Sequence, residues 1–170
     1  METQKQLLNK LLSTNYSERY QAIKQLPSLE SHEALTIIET IKALEGNLML
    51  KVEAIRVLPE IISETIMDKV EDILKWALKE TDTEIVRSGL FAIRRFPKTQ
   101  LPINLIDLIG DLLKSSDTDI QYQAVISMTH FRDLIPPEQF TALIQPLTQH
   151  PNKALKEAAL LSIEGGSYQL

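Results

Sequence analysis

The side chains best suited to chemistry in this chain are arginines, lysines and aromatic rings that recur at fixed places. Tyr20, Lys24, Arg56, Arg87, Phe91, Tyr122 and Ile126 occupy two positions of a repeated pattern, with Arg94 and Arg95 beside them. A guanidinium can pair a carboxylate through two parallel hydrogen bonds and can also stack on a ring. Rings interleaved with such groups have the composition of a protein-recognition surface. The ligand that suits them is an acidic, partly apolar peptide or helix. The competing reading is that Tyr20, Val52, Ile126 and Leu161 pack between neighbouring helices while the cations are solvated.

Other chemistry has little to work with. The chain has no Cys, which excludes disulfides and thiolate metal sites. It has no glycine-rich phosphate loop, no nucleophile elbow and no H-E-x-x-H pair of metal ligands. His32–Glu33 is a single pair, and His130 and His150 have no neighbouring ligand at helical spacing, so all three read as surface histidines. Asp107 and Asp111, like Glu71 and Asp72, read as a solvated face of a helix rather than an acid–base pair. The expectation is a protein that is not an enzyme and has no catalytic residue, metal or cofactor.

The elements that carry these side chains follow from one unit, Thr81–Phe96. Asp82 is a good helix N-cap, because its carboxylate accepts the free N–H groups of a first turn. Ile85, Gly89, Leu90 and Ile93 follow on one side of the helix so begun. A step of 35 residues gives Asp117 with Ile120, Ala124, Val125 and Met128, and another gives Asn152 with Leu155, Ala159, Leu160 and Ile163. Backwards the series continues through Asn47 (Leu50, Ala54, Ile55, Leu58) to Asn15 (Ala22, Ile23, Leu26), where Glu18 replaces the first apolar residue. The recurring small residue (Ala22, Ala54, Gly89, Ala124, Ala159) lets each capped helix approach its partner closely.

Each capped helix, B, is preceded by a second apolar stripe, A. Ile73, Leu74 and Ala77 match Leu108, Ile109 and Leu112, and then Leu143, Ile144 and Leu147. Leu7, Leu8, Leu11 and Leu12 form a looser stripe, as do Ile37, Ile38, Ile41 and Leu44. Short turns such as Ser13–Thr14 and Ser115–Ser116 make consecutive helices antiparallel neighbours, and such hairpins bury their stripes only by stacking. Pro27 and Pro59 are expected to stop their helices, Pro97 to follow the third B helix, Pro136–Pro137 to follow the fourth, and Gly165–Gly166 to end the fifth. Pro146 is expected to kink the last A helix. Trp76 lies off the core stripe, either as a half-buried packing residue or as an outer contact point.

A hairpin of this length with Asp or Asn at the start of B, a basic residue four later and a small residue three after that resembles the HEAT repeat. The resemblance implies an all-α, right-handed α–α superhelix of about five HEAT-like pairs. It forms a single domain over 1-170 with approximate repeats 1-28, 29-62, 63-98, 99-135 and 136-166. It implies that the B helices line a concave side. It also implies an inter-repeat ladder drawn from Asn15, Arg19, Asn47, Lys51, Asp82, Asp117, Asn152 and Lys156, interrupted where Val86 and Gln121 replace the basic residue. HEAT-like solenoids are mostly binding scaffolds, so the implied partner is another protein, held through its acidic or amphipathic segment on the concave face.

Two alternatives follow from the same resemblance. Some HEAT-like proteins are DNA glycosylases, and Lys24, Arg56, Arg87, Arg94 and Arg95 could meet phosphates. The net charge of −5 and the acids Asp117, Asp119, Glu157 and Glu164 argue against nucleic acid. Others are bilin lyases or chaperones of cofactor-bearing proteins, for which no residue here is diagnostic. The N-terminus has no signal-peptide pattern and no run is long enough to span a membrane, so a cytoplasmic protein is expected. The last B helix has little polarity to spare. Its exposed side predicts either a homodimer through the C-terminal end or cover by the tail, Ser167–Leu170.

Overall fold

A computed structural model describes residues 4–165. Among them lie ten α-helices and no strand. They form five hairpins: α1 (Gln4–Leu11) with α2 (Tyr16–Gln25), α3 (Ser31–Ala43) with α4 (Leu48–Ile61), α5 (Met67–Lys79) with α6 (Thr83–Arg95), α7 (Ile106–Leu112) with α8 (Thr118–His130), and α9 (Pro137–Ile144) with α10 (Lys153–Glu164). The even-numbered helices are the B helices. α4 lies against α6, α6 against α8 and α8 against α10, whereas successive A helices touch far less. The B row is thus the more closely packed of the two, in a right-handed stack.

The core is one continuous apolar seam between the A and B rows. Leu50, Ile85, Ile120 and Leu155 are buried, as are all four alanines at the recurring small position, and Ile23, Ile55, Leu90 and Val125 next to them. At Gly89 a Cβ would stand 3.2 Å from both Ala77 Cβ and Leu78 Cδ2, which is the close approach of α6 to α5 that the small residue permits. The seam frays in the first and last hairpins, where Leu12 and Leu160 are exposed.

The capping row acts inside each repeat. Asp82 accepts from Glu84 and Ile85 N–H, Asp117 from Asp119 and Ile120 N–H, Asn15 from Ser17 N–H and Asn152 from Leu155 N–H. Asn47 departs from the row. After Gly46 (φ 69°) it takes a left-handed conformation (φ 52°), which Asn tolerates, and its side chain does not cap α4. The expected ladder between repeats is corrected here. Arg19 donates to Ser13 O (2.7 Å), and Gln121, at the same place three repeats on, donates to Leu113 O (3.1 Å). Both satisfy carbonyls left over at the end of their own A helix. Lys51 lies 6.0 Å from the Trp76 ring, and Lys156 is exposed.

Polar bonds between repeats run elsewhere. Ser127 Oγ donates to Leu90 O (3.2 Å), the Thr129 and Ser162 hydroxyls pair (2.8 Å), and Arg132 donates to Ile163 O (3.1 Å). His130 Nε2 sits 3.1 Å from Phe96 O, so this histidine belongs to a joint between repeats and not to free surface. Arg95 and Glu60, one repeat apart, pair at 2.9 Å.

Proline effects differ from expectation in two places. Pro59 lies inside α4, which continues to Ile61. It stands in the last turn, where losing one N–H costs only one bond near the helix end. Pro146 does not kink an α-helix. α9 ends at Ile144, and Gln145–Gln149 continues as a 3-10 turn with Pro146 in its first turn. Pro27 likewise sits in a 3-10 turn, Leu26–Ser28, after α2. α6 stops before Phe96 and Pro97, and Gly165 closes α10 with φ 88°. Gly166 lies outside the described residues.

Two glycines give opposite expectations. At Gly110 in α7 a Cβ meets only Leu143 Cδ2 at 3.5 Å, an ordinary contact. Gly110→Ala should therefore raise stability by about 0.5–1 kcal/mol through helix propensity. Gly89→Leu should lower it by about 1–3 kcal/mol through overpacking. Urea denaturation of both variants checks the pair; equal effects would contradict the packing described.

Candidate functional site

Register brings several residues of the expected strip together. Arg56 on α4 and Phe91 on α6 occupy the same place in successive repeats, and the close packing of these helices sets them side by side. The Arg56 guanidinium lies 5.6 Å from the centre of the Phe91 ring. One turn further along α6, the guanidiniums of Arg94 and Arg95 lie 5.7 and 5.8 Å from the same ring. Phe91 itself is 37% exposed, a large apolar group open to solvent within a ring of cations. Each guanidinium–ring contact contributes about 0.5–1 kcal/mol at a surface, which offsets part of the mutual repulsion of the cations.

The three cations are balanced unequally. Arg56 pairs with Glu53 at 3.6 Å and Arg95 with Glu60 at 2.9 Å. Arg94 has no such acid among the described residues. Its Nη1 donates to the neutral amide oxygen of Gln123 on α8 at 2.6 Å. The residue is only 9% exposed. Burial holds its pKa below the usual guanidinium value, opposed by the nearby Tyr122 phenol. The shielded Nε–H groups of Arg56, Arg87 and Arg94 have no hydrogen-bond partner within the described protein, a further cost of holding guanidiniums here.

Arg87 serves a different purpose from the one its place in the strip suggested. It pairs with Glu84 at 2.8 Å and with Asp119 of α8 at 2.6 Å, so it ties α6 to α8. Val52 is buried. Tyr122 and Ile126 are half-buried on α8. At the other end, Tyr20 stacks on Tyr16 with ring centres 6.0 Å apart, and Lys24 Nζ lies 4.4 Å from the centre of the Tyr20 ring. The strip thus resolves into a cluster on α4 and α6, an aromatic pair on α2, and a half-buried continuation on α8.

Sequence reasoning missed Tyr16 and Met49, both exposed beside this strip. A signal was present: these positions are polar or small in the later repeats, where Thr83, Thr118 and Lys153 match Tyr16, and Glu84, Asp119 and Ala154 match Met49. Trp76 is half-buried against the core, with Lys42 Nζ 5.4 Å from its ring centre. On α10, Leu160 and Leu161 are exposed, and the expected covering tail lies outside the described residues. Among the described residues no group of three or more metal-ligating side chains gathers, and no helix is long and apolar enough to cross a membrane.

Comparison with known proteins supports the fold. No family model matches the chain, and no curated protein matches it in sequence. Solved structures do. An engineered protein superposes with a TM-score of 0.64 at 16% identity, over 97% of this chain and 79% of that one. A designed armadillo repeat protein superposes with a TM-score of 0.64 at 14% identity, over 94% of this chain and 80% of that one. A second designed armadillo repeat protein, solved in complex with the peptide (KR)4, reaches 0.69 at 15% identity over the same shares of the two chains. The protein therefore has the fold of the armadillo and HEAT-like α-solenoids.

Arg94 makes a test of whether this face is built for stability. Its charge is penalised by burial at every pH below its lowered pKa, a penalty relieved only in strongly alkaline solution. Arg94→Met should leave stability unchanged or raise it by about 1 kcal/mol at neutral pH. Thermal and urea denaturation check this; a loss of stability would make Arg94 a structural residue.

Proposed function

We propose that the protein is a non-enzymatic interaction module that docks an acidic segment of another protein on its B-helix wall. The observation that carries this reading is the trio Arg56, Arg94 and Arg95 around the exposed Phe91, with Arg94 buried and paired only to a neutral amide. A buried cation without an acid is costly. A carboxylate brought by a partner would relieve that cost in a site of low dielectric, where the pairing is worth more than in water. Phe91 would supply the apolar contact beneath it.

Two further observations support it. A neighbour of the same fold binds the peptide (KR)4; a wall lined with guanidiniums suits the opposite peptide charge. Glu53, Glu60, Glu84 and Asp119 are interspersed among the cations. A discontinuous acidic segment can thread between such carboxylates, whereas a uniform phosphate backbone would meet them as repulsion.

Fluorescence anisotropy with a labelled glutamate-rich peptide tests the reading. Binding should weaken from low to physiological salt, as screening of exposed charge requires. Phe91→Ala and Arg95→Gln, both at exposed positions, should each weaken it about tenfold. Unchanged affinity in both variants would remove the proposal, and tighter binding of duplex DNA than of the peptide would favour nucleic acid instead.

A further inference from the structure

The wall carries a second feature at its N-terminal end. α2 meets α4 less closely than α4 meets α6, and part of that contact is made by the 3-10 turn Leu26–Ser28 that follows α2. Between α2 and the first half of α4 a cleft of about 80 Å³ remains open. Tyr16, Tyr20 and Ile23 line one side, and Met49, Leu50 and Glu53 the other. Tyr16 is 67% exposed and Met49 59%, where the later repeats carry polar or small residues. Large apolar groups held open to solvent side by side mark a contact surface.

Resting on the reading above, we propose that this cleft takes one aliphatic side chain, of the leucine or isoleucine class, from the same acidic segment whose carboxylate meets Arg56. Size sets the first part. The volume is about half of the roughly 150 Å³ of a closed cavity that holds a benzene ring, so a branched aliphatic group fills the cleft more closely than an aromatic ring. Charge sets the second. Arg19 lies 5.9 Å from the Tyr16 ring centre and gives its Nη1 hydrogen bond to a backbone carbonyl. Lys24 sits over Tyr20 and has no carboxylate partner among the described residues. Glu53 is the one acid lining the cleft, and it is already engaged by Arg56. The surroundings are thus cationic and favour an anionic ligand.

Continuity joins the two halves of the proposal. Glu53 lines the cleft and pairs with Arg56, and Arg56 lies over Phe91. An extended segment with its aliphatic anchor in the cleft therefore reaches the Arg56 guanidinium next and the Phe91 cluster after it. The anchor fixes register along the wall, and the carboxylates supply most of the salt dependence.

The test uses three labelled synthetic peptides: a glutamate-rich one with a single leucine, the same peptide with serine for leucine, and a lysine-rich peptide with the leucine. The full chain should bind the first about tenfold tighter than the second and should not bind the third. Met49→Ser, at an exposed position, should erase the preference for leucine and leave the serine peptide's affinity unchanged. The Met49 methyl resonance should shift with the leucine peptide alone. If both acidic peptides bind equally and both are weakened by Phe91→Ala, the cleft proposal falls while the wall reading stands. If neither acidic peptide binds, both fall. Tight binding of the lysine-rich peptide overturns the pairing of anchor with acid. Sedimentation showing the cleft buried in a dimer, relieved by Met49→Ser, would give it to a second copy of the chain.

Discussion

The structure depends on each B helix lying close against its own A helix. Ala22, Ala54, Ala124 and Ala159 are fully or almost fully buried, and Gly89 leaves no slack for a Cβ. Small residues at that position close each hairpin, and closed hairpins of equal shape stack in one register. Once the register is fixed, side chains one repeat apart become neighbours. Arg56 meets Phe91, Glu60 meets Arg95, and Thr129 meets Ser162. A hairpin alone buries too little apolar surface to fold, so the seam between rows and the contacts between repeats form together.

The same register holds one charge at a cost to stability. Placing Arg94 behind Phe91 and against α8 removes it from water without giving it an acid. A partly apolar alternative would pack with less cost. Arg87, two turns before Arg94 on α6, shows what a structural arginine looks like here: it has two carboxylates on two helices. The contrast between these residues of one helix separates the side chains that hold the stack together from those whose charge is left for something else.

Much of the fold was legible because a period is a strong signal. Five caps and five small residues in phase define the hairpins, and buried Ile85, Ile120 and Leu155 follow directly from their spacing. Local backbone choices were less legible. Asn47 looks like its fellow caps in sequence, yet the preceding Gly46 turns the chain so that Asn47 adopts positive φ. Pro59 reads as a helix stop, but near a helix end a missing N–H is tolerated. The site was legible as a strip and not as a geometry. Phe91 and Arg56 stand at one repeat position, so their meeting is implied by periodicity. The capture of Arg87 by Asp119, and the opening between α2 and α4, depend on distances between helices that no single repeat encodes.

The central claim is that recognition is confined to one face, the wall made by α2, α4 and α6. Two-dimensional NMR of the labelled protein during titration with an acidic peptide tests this directly. Resonances of Phe91, Arg94, Arg95, Arg56 and Tyr20 should move together and saturate together, while those of exposed A-helix residues such as Glu39, Asp72 and Asp107 stay in place. Shifts centred on the A helices or on the exposed leucines of α10, with the Phe91 cluster unmoved, would contradict it.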